Sequence, residues 1–146
     1  MPSPPDGLRI VPPLHRATHA VGLFVRSGRL GVGQAEAHIL AHLMAEGPST
    51  VAALHAAFGH RRSTLTSILD RLAAAGLVVR GVVEEDRRTF LISLTEPGAA
   101  LAGEVHTALA SLEAAVAGQV TPAELAGFHA VVEAMEPLEV EVADAL

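Results

Sequence analysis

A change of hydrophobic period at residue 77 constrains the fold of this chain more than any other feature. Before it, apolar residues recur with helical spacing in four segments, which are 14–30, 33–47, 50–59 and 61–76. Two runs rich in β-branched residues follow, LVVRGVV at 77–83 and TFLISL at 89–94, and helical spacing then returns in 97–120 and 121–136. The sequence therefore predicts a mainly α-helical fold with one small antiparallel β-hairpin.

Local signals mark several of the predicted helix ends. Thr50 suits an N-cap, because its hydroxyl can accept a hydrogen bond from a free backbone N–H of the first turn. Gly59 suits the left-handed residue that often follows a helix. Thr121 and Glu124 have the spacing of a capping box, in which each side chain bonds the backbone N–H of the other residue. Helices are therefore expected to begin or end at these positions.

The order of the central elements is helix, short loop, helix and hairpin. The loop around Gly59 and His60 is short enough to make its two helices cross sharply, so that the second one projects. This succession is that of a winged helix–turn–helix, which places one helix against DNA. The sequence thus predicts a DNA-docking fold in the middle of the chain.

Charge is distributed unevenly along the sequence. The formal net charge is −6, yet residues 55–95 carry six arginines against four acidic residues. Residues 96–146 carry nine acidic residues and no arginine. Every basic residue is an arginine, and although a GC-rich genome would explain the missing lysine, it would not explain the clustering. Because arginine suits bidentate contact with phosphate or guanine, the middle of the chain is the candidate nucleic-acid site.

The predicted helix at 61–76 has a polar side at its N-terminal end. That side comprises Arg61, Arg62, Ser63, Thr64, Thr66 and Ser67. Hydroxyl and guanidinium groups are common donors to phosphates and base edges, and a helix N-terminus offers free N–H groups to a phosphate. The alternative is a solvated helix face whose hydroxyls serve as caps. The hairpin that follows favours the DNA-binding interpretation.

Arg87 and Arg88 stand between the two β-rich runs, at the predicted tip of the hairpin. If the hairpin is a wing, an arginine there can enter the minor groove, where the potential is negative. Asp86 could support the wing by orienting an arginine through a bidentate pair. The alternative is an ordinary surface cluster of ion pairs, which contributes little to stability.

Residues 14–136 resemble the MarR family of bacterial transcription regulators. The resemblance rests on Asp86 and Arg88 in the hairpin, on SLT at 93–95 with Gly98 after it, and on a Ser/Thr-rich helix start before ILDRL at 68–72. It implies a homodimer that binds a pseudo-palindromic operator, represses a nearby gene and often releases DNA in response to a small ligand or an oxidant. Arg61 departs from the Asp or Ser usual in the family, and the absence of cysteine excludes thiol-based peroxide sensing.

The resemblance also implies how the chain is divided. The predicted parts are a flexible Pro-rich arm at 1–13, an N-terminal dimerisation helix at 14–32, a winged helix–turn–helix domain at 33–96 and C-terminal dimerisation helices at 97–146. The terminal helices are too apolar to pack only on a small winged domain, which agrees with a homodimer. The acidic C-terminal third suits an end of the dimer that faces away from DNA.

Histidine pairs on two predicted helices suggest what the protein senses. His15 and His19 share one helical face, and so do His38 and His42. One hypothesis is a zinc site at His38 and His42, completed by a carboxylate or by His106. Another is an organic anion bound by His15, Arg16, His19 and His42. The remaining interpretations are ordinary surface histidines and no effector at all, and no cofactor is required by any of them.

The sequence favours a sequence-specific transcription regulator, with double-stranded DNA and a second copy of the chain as partners. The alternative is a winged-helix module for protein–protein assembly without DNA, which would not need arginines clustered on one surface. We expect no enzyme, because no nucleophile–base pattern, Gly-rich phosphate loop or paired carboxylates occur. We also expect a cytoplasmic protein, because no apolar run is long enough to span a membrane and the N-terminus lacks a secretory pattern.

Overall fold

A computed structural model describes residues 7–27, 31–83 and 86–145, apart from the side chains of 26, 27, 83, 86–88 and 137–145. The chain divides into two compact units, Met1–Leu109 and Ala110–Leu146. The elements are α1 (Val11–Ser27), α2 (Gln34–Glu46), β1 (Ser49–Thr50), α3 (Val51–Phe58), α4 (Arg62–Ala74), β2 (Val78–Val83), β3 (Asp86–Leu94), α5 (Glu96–Ala117) and α6 (Pro122–Ala145). The predicted mainly helical fold with a small β-hairpin is confirmed.

The local signals act at the helix ends as predicted. The Thr50 hydroxyl accepts a hydrogen bond of 3.1 Å from the Ala53 N–H, and Gly59 ends α3 in the left-handed region with φ of 66°. Glu124 accepts a hydrogen bond of 3.1 Å from the Thr121 N–H, and the Thr121 hydroxyl accepts one of 3.2 Å from the Glu124 N–H. The capping box at the start of α6 is therefore confirmed.

The first helix begins earlier than the sequence suggests. We expected a flexible arm to residue 13, but α1 starts at Val11, and the Leu14 N–H already donates to the Ile10 carbonyl at 3.1 Å. Pro12 and Pro13 occupy the first turn, where the N–H that proline lacks would have no helical partner. The prolines thus begin the helix instead of preventing it.

The sheet has three strands instead of the predicted two. Its order is β1-β3-β2, and β1 pairs antiparallel to β3 with Ser49 opposite Ile92 and Thr50 opposite Leu91. A strand of two residues is too short to show a period of two, which explains why the sequence pattern missed it. The central strand β3 is consequently paired on both edges at Leu91 and Ile92.

The strand β3 begins at Asp86, three residues before its predicted start at 89. Val82 stands opposite Phe90, but the next residue, Val83, stands opposite Asp86, so the register is irregular between them. Residues 87–89 therefore form an irregular, bulge-like part of β3. The arginines expected at the hairpin tip instead belong to this strand, and bulges commonly re-aim side chains next to functional sites.

The main core lies in the first unit and draws on α2, α3, α4, the sheet and α5. Its buried side chains include Ile39, Leu40, Leu54, Leu65, Leu69, Leu72, Val78 and Ile92. A smaller cluster of Val25, Ala37 and Val105 joins α1, α2 and α5. Helical spacing predicts that the Met44 side chain is buried in the core, but it is 47% exposed. The reason is that the buried side of α2 is centred on Ile39, Leu40 and Leu43.

The start of α5 is bonded tightly to the turn between α4 and β2. The Thr95 hydroxyl donates to the Gly76 carbonyl at 2.6 Å, and the Thr95 N–H donates to the Leu77 carbonyl at 3.0 Å. The Thr95 hydroxyl also accepts a hydrogen bond of 3.0 Å from the Gly98 N–H. Gly98 is buried, and a Cβ atom placed on it would overlap the Leu77 carbonyl oxygen. These contacts give the SLT–x–x–G segment a structural role.

The second unit holds the end of α5 and all of α6. α6 continues to Ala145, well past the predicted end at residue 136. Large apolar side chains of this unit are exposed, namely Val116, Leu125, Phe128 and Val131. Within the described part of the chain, no helix has the length and apolar character needed to cross a membrane.

Candidate nucleic-acid interface

The helix α4 has one buried side and one exposed polar side. Leu65, Ile68, Leu69 and Leu72 fix the helix in the core. The six residues predicted to face DNA, Arg61, Arg62, Ser63, Thr64, Thr66 and Ser67, are all exposed. The structure therefore brings the predicted recognition residues together at the N-terminal end of α4.

The N-terminus of α4 is not capped by a side chain. Arg61 occupies the N-cap position and makes no capping hydrogen bond. The free N–H groups of the first turn and the positive end of the helix dipole therefore remain available to an anion from outside. The Ser67 hydroxyl instead donates to the Ser63 carbonyl at 3.0 Å, which leaves its oxygen free to accept a second hydrogen bond.

Two other arginines of the winged domain are engaged by carboxylates. Arg71 Nε lies 2.7 Å from Glu36 Oε1 and links α4 to α2. Arg80 Nη2 lies 2.6 Å from Asp70 Oδ1 and links β2 to α4. The second pair was missed by sequence reasoning, which looked to Asp86 for the carboxylate that orients an arginine. The feature that could have predicted the Arg80–Asp70 pair is the tight turn at 75–77, because it places the start of β2 beside the end of α4.

For the wing residues Asp86, Arg87 and Arg88, the structure describes the backbone but not the side chains. The backbone places all three in the irregular first part of β3. The predicted role of Asp86 as wing support and the predicted contacts of the two arginines with DNA remain predictions.

The candidate effector residues lie on two different helices. His15, Arg16 and His19 are exposed on α1. His42 on α2 is partly buried, and its ring meets Phe58 edge-on with centroids 5.3 Å apart, while His60 stacks on Phe58 at 6.2 Å. His42 thus packs on the helix–turn–helix, which sequence reasoning did not anticipate.

No zinc site is apparent where the histidines are described. Over residues 7–27, 31–83 and 86–145, no three His, Cys, Asp or Glu side chains are grouped so that they could hold a metal ion. His106, the suggested third ligand to His38 and His42, instead lines an open cleft of about 720 Å³ with Met44, Gly103, Glu104 and Thr107. Among the described residues, the pair at His38 and His42 therefore lacks the third ligand that a zinc site needs.

His38 gives a prediction for the pH dependence of stability. Burial lowers the pKa of His38 below its ordinary value of 6.5, because desolvation disfavours the charged ring. Well above pH 6.5 the ring is neutral in both the folded and the unfolded state. As the pH falls from 6.5 through the lowered folded-state pKa, the unfolded chain binds the proton more readily and stability is lost. The free energy of unfolding, measured by urea titration at pH 7 and pH 5, should fall less in His38→Gln than in the wild type; an equal fall would contradict this role.

Comparisons with known proteins agree with this geometry. A model of the MarR family matches residues 30–89, which contain α2, α3, α4, β1 and β2. The Staphylococcus aureus MepR–DNA complex has a similar fold, with a TM-score of 0.77 at 18% identity over 90% of this chain and 98% of that one. The MarR-family transcription regulator SP03579 gives a TM-score of 0.72 at 26% identity over 94% of this chain and 89% of that one. The chain is similar to the MarR family over residues 30–89 and has the fold of these solved structures.

A further solved structure of similar fold contains a small molecule. NadR in complex with 4-hydroxyphenylacetate matches with a TM-score of 0.75 at 23% identity, over 92% of this chain and 97% of that one. No curated protein sequence matches significantly. The similarity to the MarR family, together with the fold shared with the MepR–DNA complex, supports a DNA-binding transcription regulator.

Proposed function

We propose that this protein is a repressor of the MarR family that binds a pseudo-palindromic operator as a homodimer. The observation that carries the proposal is the uncapped N-terminus of α4, surrounded by exposed arginine and hydroxyl side chains. We assign base and phosphate contacts to Arg61, Arg62, Ser63, Thr64, Thr66 and Ser67. Arg87 and Arg88 of the wing contact the adjacent groove, and Asp86 supports the wing. In the homodimer the two recognition helices lie about 34 Å apart, one turn of DNA.

Exposed apolar side chains support the homodimer. On α1, Leu23 is 51% exposed, and on α6, Leu125 and Phe128 are 46% and 54% exposed. Apolar surface of this kind is costly to leave in water, and a second copy of the chain would cover it. We therefore assign 14–32 and 97–146 to dimerisation and 33–96 to DNA binding.

We also propose a cytoplasmic location, because a protein that binds operators acts where the chromosome is.

A small organic anion is the proposed effector. NadR was solved with 4-hydroxyphenylacetate, and BpsR of Bordetella bronchiseptica is described as regulated in its DNA binding by 6-hydroxynicotinic acid; BpsR matches with a TM-score of 0.74 at 21% identity, over 93% of this chain and 98% of that one. His15, Arg16 and His19 offer positive or hydrogen-bonding groups on α1, and His42 offers one on α2. Because His42 also packs on Phe58 of α3, an anion that moved its ring would disturb the helix that precedes α4.

The test is a fluorescence-anisotropy titration with the DNA that flanks the gene, against a scrambled duplex, at 50 and 200 mM salt. Specific binding that weakens steeply with salt, by about 10³-fold or more if six or more phosphates are contacted, supports the regulator. Adding 4-hydroxyphenylacetate as a probe should weaken that binding. If no duplex binds better than the scrambled one, even after selection from random DNA, the protein is instead an assembly module.

A further inference from the structure

The wing carries an exposed apolar pair beside its arginines. Val82 of β2 and Phe90 of β3 stand directly opposite each other in the sheet register. Their side chains are 52% and 49% exposed. Single exposed apolar residues are ordinary, but a cross-strand pair that contains one of only four phenylalanines of the chain is not explained by burial.

The apolar pair lies on the side of the sheet that faces α4. Side chains of a strand alternate, so Val78, Arg80 and Val82 share one side of β2. Val78 is buried in the main core, and Arg80 on the same side binds Asp70 of α4. Val82, and Phe90 opposite it, therefore continue the side of the hairpin that meets α4.

Distances along the two elements place the apolar pair level with the recognition residues. From Arg80 to Val82 the strand advances about 6.6 Å, and four residues of helix advance about 6 Å. Because β2 runs back along α4, a step from Arg80 to Val82 corresponds to a step from Asp70 to Thr66. Thr66 is exposed on the polar side of α4. By this estimate Val82 lies level with Thr66, one of the residues to which DNA binding is assigned.

We propose that Val82 and Phe90 make an apolar contact with DNA, packing on the deoxyribose walls of the groove that the wing enters. This inference rests on the proposed function. The neighbouring segment holds Arg87 and Arg88, so the occupant of this surface is expected to be a polyanion. The apolar groups that the minor groove offers are the C–H groups of its deoxyribose walls, because the thymine methyl group lies in the major groove. Contact with these walls adds affinity without releasing counterions, so it does not change the salt dependence.

The same hairpin provides a matched control. Val79 is 53% exposed, but it lies on the opposite side of β2, where it stands across from Ser93. Val82→Thr and Val79→Thr make the same exchange of a methyl group for a hydroxyl on a β-branched side chain. Both retain the preference for a strand. A difference between them therefore reports which side of the hairpin meets DNA.

The experiment measures the dissociation constant for an operator selected from random DNA, at four salt concentrations, for each variant. We expect Val82→Thr combined with Phe90→Thr to weaken binding on the order of tenfold, since both variants remove apolar surface that the groove would cover only in part. Val82→Thr alone should weaken it several-fold, and Val79→Thr should leave it unchanged. The slope of affinity against salt should stay that of the wild type in all three.

Equal affinities of the Val82→Thr and Val79→Thr proteins for DNA would overturn the apolar contact. So would a change of oligomeric state in light scattering, without a change in DNA affinity, when Val82 and Phe90 are replaced by threonine. Thermal unfolding midpoints show whether Phe90→Thr damages the hairpin, in which case Val82→Thr alone decides. Replacing Arg61 and Arg62 by alanine separates the two proposals. If that variant loses DNA affinity and the apolar variants do not, only the apolar contact fails; if none loses it, DNA binding by this surface fails as well.

Discussion

Replacing Gly98 with alanine is expected to destabilise the protein by about 3 kcal/mol, a large fraction of the stability of a small domain. The new Cβ atom would overlap the Leu77 carbonyl oxygen, which is backbone and cannot rotate away. Relief requires moving the first turn of α5 off the α4–β2 turn, which would break the hydrogen bonds of Thr95 to Gly76 and Leu77. Urea unfolding at pH 7, followed by circular dichroism, measures the change.

Gly103→Ala is the matched control for Gly98→Ala, on the same helix. A Cβ atom there meets nothing closer than Met44 Cε at 3.9 Å. Since glycine is unfavourable inside a helix, this substitution should stabilise the protein by up to about 1 kcal/mol. Opposite signs for the two variants are expected. A Gly98→Ala protein as stable as the wild type would show that the junction yields more easily than its geometry implies.

The second large effect is expected in DNA binding. Arg61→Ala combined with Arg62→Ala should reduce affinity for the selected operator about 100-fold at 100 mM salt, if each arginine contributes roughly 1.4 kcal/mol. Each phosphate contact that is lost should also lower the slope of log affinity against log salt by about 0.9. Anisotropy titrations over a range of salt concentrations measure both quantities in one experiment.

Arg71→Ala controls for the loss of charge on α4. Arg71 belongs to the same helix, but Glu36 engages its guanidinium at 2.7 Å. We therefore expect Arg71→Ala to leave the salt slope unchanged. Its stability should fall, because the Glu36 side chain is only 14% exposed and its carboxylate would lose this partner. If Arg71→Ala lowers the slope as much as removing one of the other two arginines, net charge and not position governs binding.

Elements with strong periodicity or a local capping signal could be predicted from the sequence. The ends of α3 and the start of α6 depend on Thr50, Gly59, Thr121 and Glu124, whose hydrogen bonds involve residues three or four positions away. The exposed polar side of α4 follows from its spacing. Such features are encoded within a few residues, so no knowledge of the rest of the fold is needed.

Features that depend on distant residues were predicted poorly. One local feature was also missed, the early start of α1, because proline was read as a helix breaker instead of a first-turn residue. The ion pair of Arg80 with Asp70 needs the path of β2 along α4, and the contact of His42 with Phe58 needs the packing of α2 on α3. The irregular start of β3 at Asp86 depends on the sheet register, which the sequence pattern does not specify.

The pairing of β1 with β3 has a consequence for how the winged domain folds. β2 and β3 are separated by only two residues of the sequence and can form a hairpin within microseconds, whereas Ser49 and Ile92 are about forty positions apart. Closing that loop costs chain entropy before any strand contact compensates for it. We therefore expect β1 to join the sheet last, after α3 and α4 have formed, so that the edge of β3 beside Leu91 stays open longest in a refolding chain.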